Sequence, residues 1–265
     1  MNRKEVESFK EWYEFVKDEN ANEIPVFNRE VRILFSQCSE NGKMNLCELL
    51  KLTSDSAVED YAMRGMTWRV LAEKGYAILT SRQSYHFYRL PGTDEKILLT
   101  TWEETPEPLQ LIRRYKISTD KGELLISGHS AWLVVNPSTR RIVRPSDFTL
   151  RQPVPKYTVD FDGIPTGKIA VPENLTVLNQ RPICFTDTDS NGHTNNSRYG
   201  AFVLDCLPVE YQKKNFTDFR INYSKEAVKG QMLQMFASFD DESKKITIVG
   251  KNGEITCFEA ELYYV

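Results

Sequence analysis

Phe185-Thr186-Asp187-Thr188-Asp189-Ser190-Asn191-Gly192-His193-Thr194-Asn195 has an earlier counterpart in the same chain. That counterpart is Phe35-Ser36-Gln37-Cys38-Ser39-Glu40-Asn41-Gly42-Lys43-Met44-Asn45, at a constant offset of 150 residues (185 minus 35). Phenylalanine, the adjacent hydroxyl residue, Asn-Gly and the closing asparagine coincide without a gap. The segments downstream of the two copies agree as well. After the first, Leu46, Leu49, Leu50, Thr53, Ala57 and Tyr61 recur at helical spacing, and Gly65 is a natural stop. After the second, Tyr199, Phe202, Val203 and Cys206 keep the same period until Pro208 ends the run.

Each helix gives way to strand-like sequence. In the first half the segments are 76–88, 95–102, 109–118 and 123–135, with a turn at Asp120-Lys121-Gly122. In the second they are 219–224, 231–239, 244–249 and 254–264, with a turn at Lys251-Asn252-Gly253. Phe258, Ala260, Leu262 and Tyr264 alternate with Glu259, Glu261 and Tyr263, which predicts a strand buried on one face. An amphipathic helix must bury its stripe, and a curved antiparallel sheet around it does so, giving an α+β chain. Pro145, Pro153, Pro155, Pro165 and Pro172, with Gly163 and Gly167, mark a linker between the halves. The expected division is a helical extension over 1–25, a first domain over 26–144, a linker over 145–175 and a second domain over 176–265. Within the extension, residues 4–17 read as a helix with Val6, Phe9, Tyr13 and Val16 on one side.

Of 265 residues, 40% are hydrophobic and 27% charged, the balance of a globular protein. A net charge of −3 gives no case for nucleic-acid binding, and no apolar run reaches membrane-spanning or signal-peptide length. Five cysteines without a CxxC pair argue against a disulfide scaffold and a zinc knuckle, and point to free thiols in a reducing cytoplasm.

The run from Asp187 to Tyr199 resembles the helix-opening motif of the acyl-ACP thioesterase family, D-x-D-x-N-x-H-x-N-N-x-x-Y. Asp60-Tyr61-Ala62, Thr101-Trp102 and Ala131-Trp132 also look like that family, so the resemblance covers about residues 26–265. It implies a tandem double-hotdog fold, each half an antiparallel β-sheet wrapped around a central α-helix. It also implies hydrolysis of fatty acyl-[acyl carrier protein] to free fatty acid and the holo carrier. The family's catalytic set falls on Asp189, Asn191, His193 and Glu226, the last within Tyr223-Ser224-Lys225-Glu226-Ala227. Plant members carry cysteine where this chain has Ala227, which makes that thiol dispensable here. No cofactor or metal is implied. The implied partner is acyl carrier protein bearing a phosphopantetheine-linked acyl chain; the tandem repeat makes a monomer or weak homodimer the expectation.

Thioester hydrolysis needs an activated water, a held carbonyl and donors for the oxyanion, because a thiol of pKa ~8.5 leaves readily. The expected roles are Glu226 and His193 on the water, Asn191 on the thioester or the water, and Asp189 orienting its neighbours. Backbone amides at Asn191 and Gly192, taken as the start of the helix, are expected to receive the carbonyl. In the first copy Gln37, Ser39 and Lys43 replace Asp187, Asp189 and His193, and Leu90 stands opposite Glu226, which predicts one active site per chain. The first half is then expected to shape the acyl pocket, with Leu50 and Tyr61 as candidate linings.

Rival readings are weaker. Asp187-x-Asp189-x-Asn191-Gly192 opens like a calcium loop, but its twelfth position is Arg198 rather than glutamate. Gly128-His129-Ser130 lacks the second glycine of a nucleophile elbow and lies in strand-like sequence, and His86 reads as a structural histidine. Capping would explain one polar residue of the Asp189–His193 cluster, not all of them. Arg113-Arg114, Arg140-Arg141 with Arg144, and Lys213-Lys214 are candidates for a basic rim facing an acidic carrier. An acyl-CoA thioesterase and a non-catalytic acyl-binding protein are the alternatives.

Overall fold

Alternation of buried and more exposed residues sets the two faces of strands such as Lys96–Glu103 and Met232–Asp240. The computed structural model describes residues 9–18, 20–151, 154 and 161–265. The first half contains β1 (Phe9–Lys17), β2 (Glu23–Arg32), α1 (Leu46–Met63), α2 (Trp68–Glu73), β3 (Ala77–Phe87), β4 (Lys96–Glu103), β5 (Leu111–Thr119), β6 (Leu124–Asn136) and the short β7 (Arg141–Val143). The second contains β8 (Thr176–Pro182), α3 (Arg198–Asp205), α4 (Val209–Gln212), β9 (Phe216–Tyr223), β10 (Met232–Asp240), β11 (Lys245–Asn252) and β12 (Ile255–Tyr264).

Among the described residues these strands form one antiparallel sheet in the order β1-β2-β4-β5-β6-β3-β9-β12-β11-β10-β8, with β7 paired to β6. Read outward from the β3–β9 junction, the two halves repeat the same order: β3, β6, β5, β4, β2 on one side and β9, β12, β11, β10, β8 on the other. This is the tandem hotdog arrangement, one central helix per half, α1 of 18 residues in the first and α3 of 8 in the second.

The core is continuous across the halves. Leu49, Leu50, Ala57 and Tyr61 of α1 join Tyr85, Phe202, Val203, Phe219 and Phe258 in one buried cluster. The two central helices meet at Gly200, where an added Cβ would lie 2.9 Å from Leu50 and 3.0 Å from the Cys47 backbone nitrogen. Only glycine permits that approach. The linker then straps the junction from outside. The Asn222 amide donates to the Gly167 carbonyl at 2.9 Å and Arg220 donates to the Lys168 carbonyl at 3.1 Å.

Three expectations need correction. Residues 9–17 are strand β1, not part of a helix, paired antiparallel with β2 from Phe9↔Val31 to Lys17↔Glu23; residues 4–8 of the supposed helix lie outside the described residues. The aromatic, β-favouring run Trp12-Tyr13-Glu14-Phe15-Val16 fits an edge strand as well as it fits a helical stripe, and tertiary pairing decides. Second, β2 and β8 open each half ahead of the repeated motif, where no strand is expected from the sequence. Third, Glu261, assigned to the outward face of β12, is buried, because Arg220 at 3.1 Å and Lys245 at 3.8 Å close over it.

Candidate active site

The repeated motif folds as the same device twice. Phe35–Gln37 and Phe185–Asp187 are each a single 3-10 turn. In the first copy the Ser39 amide donates to the Lys43 carbonyl at 2.9 Å; in the second the Asp189 amide donates to the His193 carbonyl, also at 2.9 Å. Gly42 and Gly192 sit at the same corner with φ of +71° and +79°, a left-handed conformation that explains the shared Asn-Gly. Each turn is then fastened to a downstream segment: the Met44 amide to the Pro91 carbonyl at 2.9 Å, and the Thr194 amide to the Ala227 carbonyl at 2.8 Å. The downstream offset is thus 136 (227 minus 91), which sets Leu90 opposite Glu226 as the sequence alignment expects.

That second fastening creates the site. The Thr194 hydroxyl also donates to the Ala227 carbonyl at 2.8 Å, and His193 bridges Val228. The consequence is that His193 Nε2 lies 3.3 Å from Glu226 Oε2, although the two residues are far apart in sequence. Both side chains open to solvent, 38% and 55% exposed respectively. Ala227 is fully buried, so a side chain at that position faces the core rather than the imidazole–carboxylate pair.

The other two expected members are placed differently. Asp189 Oδ1 accepts from the Asn191 amide at 2.8 Å, and the Asp189 carbonyl accepts from the Gly192 amide at 3.0 Å. The expectation that these two backbone amides receive a substrate carbonyl is therefore overturned. They close the Asp189 turn, and α3 opens only at Arg198, its N-cap Ser197 lying beyond the turn. Asn191 itself is exposed, and no described residue takes its side-chain amide.

A residue outside the expected set holds the device in place. Asp187, almost fully buried, accepts from the Cys184 amide at 2.9 Å, from Arg181 at 3.0 Å and from Arg198 at 3.1 and 3.0 Å. In the first copy Gln37 makes the matching bond to the Leu34 amide at 2.8 Å and reaches Glu48 at 3.3 Å. Asp187 with Arg198 has become Gln37 with Glu48, a paired exchange at the 150-residue offset that the sequence already displays. Asp187→Ala leaves the Cys184 amide and two arginines without their acceptor. We expect it to cost about 2 kcal/mol, read as a lower urea midpoint; an unshifted midpoint would show that solvent replaces the carboxylate.

Several residues weighed from the sequence lie elsewhere. His129 is in strand β6, where burial, followed by the nearby Arg114 charge, pushes its imidazole down to about 3. His86 pairs with Asp218 at 2.9 Å. Cys206 is buried in the core, and burial pushes its thiol up to about 12. Arg113 and Arg114 are not rim residues: they are held inside by Asp60 at 2.6 Å and Glu104 at 2.9 Å, whereas Arg140, Arg141, Arg144, Lys213 and Lys214 are exposed. Leu50 and Tyr61 are core residues. A cavity of about 570 Å³ lies apart from the His193–Glu226 pair, lined by Pro106, Pro108, Ser146, Phe148 and Arg151, and supplies none of its chemistry.

Fold and site together define a tandem hotdog protein with one equipped and one stripped loop. Models of the two domains of one family match it: the acyl-ACP thioesterase N-terminal domain over residues 25–151 and the C-terminal domain over 173–258. The chain belongs to the acyl-ACP thioesterase family. A chloroplastic acyl-carrier-protein hydrolase of Cuphea viscosissima is 25% identical over 206 residues, 74% of this chain and 47% of that protein. A chloroplastic oleoyl-acyl carrier protein thioesterase of Arabidopsis thaliana is 24% identical over 202 residues, 69% of this chain and 53% of that protein. The chain thus spans about half the length of these plant relatives. Among solved structures, an acyl-ACP thioesterase from Bacteroides thetaiotaomicron superposes with a TM-score of 0.79 at 22% identity, over 91% of this chain and 98% of that one. The 12:0-ACP thioesterase from Umbellularia californica gives 0.73 at 14% identity, over 91% and 97%. Both likenesses are of fold.

Proposed function

We propose that this chain hydrolyses the thioester of a fatty acyl group carried on acyl carrier protein, releasing free fatty acid and the holo carrier. One observation carries the reading: His193 Nε2 and Glu226 Oε2 stand 3.3 Å apart beside the turn that precedes the second central helix. A carboxylate and an imidazole in reach of each other can take a proton from water and return it. The hydroxyl of that water adds to the acyl carbon, the C–S bond breaks, and the proton passes through the pair to the departing sulfur. Asn191, whose side-chain amide is left open by the protein, is the donor for the thioester oxygen. Asp189 acts through the turn it closes, setting the angle at which Asn191 and His193 leave the backbone.

The first half lacks this chemistry. Ser39, Lys43 and Leu90 occupy the matching places, and Leu90 packs against the core. One site per chain is the reading that results. The β3–β9 pairing joins two hotdogs within a single chain, which supports a monomeric unit, and the five free cysteines support a reducing compartment such as the cytoplasm.

The test is thiol release from acyl carrier proteins loaded with acyl chains of graded length, set against the matching acyl-CoA esters, with Glu226→Ala as control. Turnover of the carrier-bound esters that disappears in the control is the expected result. Faster turnover of the CoA esters would move the substrate to coenzyme A, and tight acyl binding without thiol release would make the chain a carrier rather than a hydrolase.

A further inference from the structure

The site loop is tied to the first half by a polar chain that begins on its own β9 and continues through residues of the other half. Tyr223, the last residue of β9, places its hydroxyl 3.2 Å from the Asn196 carbonyl and 2.7 Å from the Gln83 side chain. Gln83 lies on β3, in the other half, and is 1% exposed. Its second amide atom is 2.9 Å from the Tyr85 hydroxyl, which is 2.7 Å from Thr53 on α1. Asn196 is held at its other end as well, its side-chain amide donating to the Thr80 carbonyl of β3 at 3.4 Å.

The Tyr223 hydroxyl donates to the Gln83 side-chain oxygen at 2.7 Å and, at the longer distance of 3.2 Å, to the Asn196 carbonyl. The Gln83 amide donates to the Tyr85 hydroxyl, which is left to donate to Thr53, whose own proton goes to the Leu49 carbonyl at 3.0 Å. One tyrosine proton thus serves both Gln83 and the Asn196 carbonyl, and removing that hydroxyl releases the two together.

The stripped copy has lost the same parts. At the 150-residue offset Asn196 becomes Leu46, and at the 136-residue offset Tyr223 becomes Phe87; both are buried apolar residues. The clamp therefore accompanies the loop that carries His193, not the fold in general.

We propose that Gln83 and Tyr223 are positioning residues through which the first half holds the His193 loop against Glu226. This rests on the hydrolase reading for its kinetic arm but not for its structural arm. In amide hydrogen exchange on the intact chain, Tyr223→Phe should speed exchange at Thr194, Asn195 and Arg198. Their donors bond to the Ala227, Asp187 and Asn195 carbonyls within this loop. Gln83→Met should do so to a lesser degree, because the tyrosine keeps its proton but loses the acceptor that aims it. Thr53→Val breaks the far end of the same chain and should leave the loop unchanged. In turnover, Tyr223→Phe should lower kcat about 10-fold with KM unchanged, since misplacing reacting groups costs rate rather than binding. Adding Gln83→Met to Tyr223→Phe should lower kcat no further, because both act on one contact. A Gln83→Met effect that persists in full without the Tyr223 hydroxyl would overturn the proposal. So would loop exchange untouched by either variant, or disturbed equally by Thr53→Val. A wild-type chain without thioesterase activity would instead refute the hydrolase reading and leave the exchange result to decide the clamp.

Discussion

Glu226→Ala and His193→Ala are each expected to lower turnover by about 100-fold or more, the usual share of a positioned general base. KM should change little, because both side chains are open to solvent and neither belongs to the buried apolar core. The double variant should be little worse than either single one, since a proton relay that has lost one member gains nothing from the other. Stability supplies the independent check. At 38% and 55% exposure the pair is a surface contact, and such pairs contribute between roughly 0 and 1 kcal/mol to folding. Thermal midpoints should therefore be nearly unchanged while activity disappears. The openness of Glu226 adds a further measurement: formate or azide should restore part of the lost rate in Glu226→Ala by entering the space of the missing carboxylate. Near-normal turnover in both single variants would remove these residues from the chemistry.

Openness also bears on when the pair acts. In water-filled surroundings a carboxylate and an imidazole at 3.3 Å interact weakly, and they gain strength only when water is excluded. The exposed turn around Asn191 supplies no lid of its own. In the proposed reaction the arriving carrier and its acyl group would complete the enclosure, so free enzyme would be poorly armed and hydrolysis would wait for substrate.

The sequence made the site visible because the repeat acts as its own control. Phe185–Asn195 against Phe35–Asn45 shows which positions maintain the turn and which carry ionisable groups. Glu226 joins His193 through the resemblance of Tyr223–Ala227 to the family's segment, and the repeat adds only that Leu90 stands opposite it. What escaped has physical causes. β8 has no apolar alternation to read, only exposed and half-buried residues ending in Pro182, and Pro25 disguises β2. Helical spacing at Val6, Phe9, Tyr13 and Val16 is ambiguous in a segment whose partner strand is itself hidden. The amides of Asn191 and Gly192 read as open donors because Asp189 and Asn191 are equally at home in a helix cap and in a side-chain-closed turn. Sequence cannot weigh those two uses; the left-handed Gly192 can.

Arg113→Met is expected to destabilise the fold more than any substitution named above, by about 3–5 kcal/mol, or roughly 10 °C in thermal midpoint. Arg113 is completely buried and lies 2.6 Å from Asp60. Around that pair Arg64 reaches Asp60 at 2.6 Å and Glu103 at 2.7 Å, and Arg151 reaches Glu103 at 3.1 Å. Tyr13 donates to Asp60 at 2.7 Å and Tyr61 to Glu103 at 3.0 Å. The network thus pins β1, α1, β4, β5 and the start of the linker to one another, and it accounts for the docking of β1 as a strand where a helix was expected. Burial pushes the Asp60 and Glu103 carboxyls up, but the surrounding guanidinium groups outweigh it and hold both below their ordinary values. A depressed folded pKa stabilises at pH above the ordinary carboxylate range, near ~4, and that contribution is lost as pH falls through the folded value. The gap in thermal midpoint between wild type and Glu103→Gln should accordingly be widest near neutrality and narrow in acid. Glu73→Ala, which removes an exposed partner of Arg69, should leave the midpoint where it is. Equal midpoints for wild type and Arg113→Met would mean that apolar packing alone holds this end of the first half together, and β1 would then be expected to stay in place without its ionic anchor.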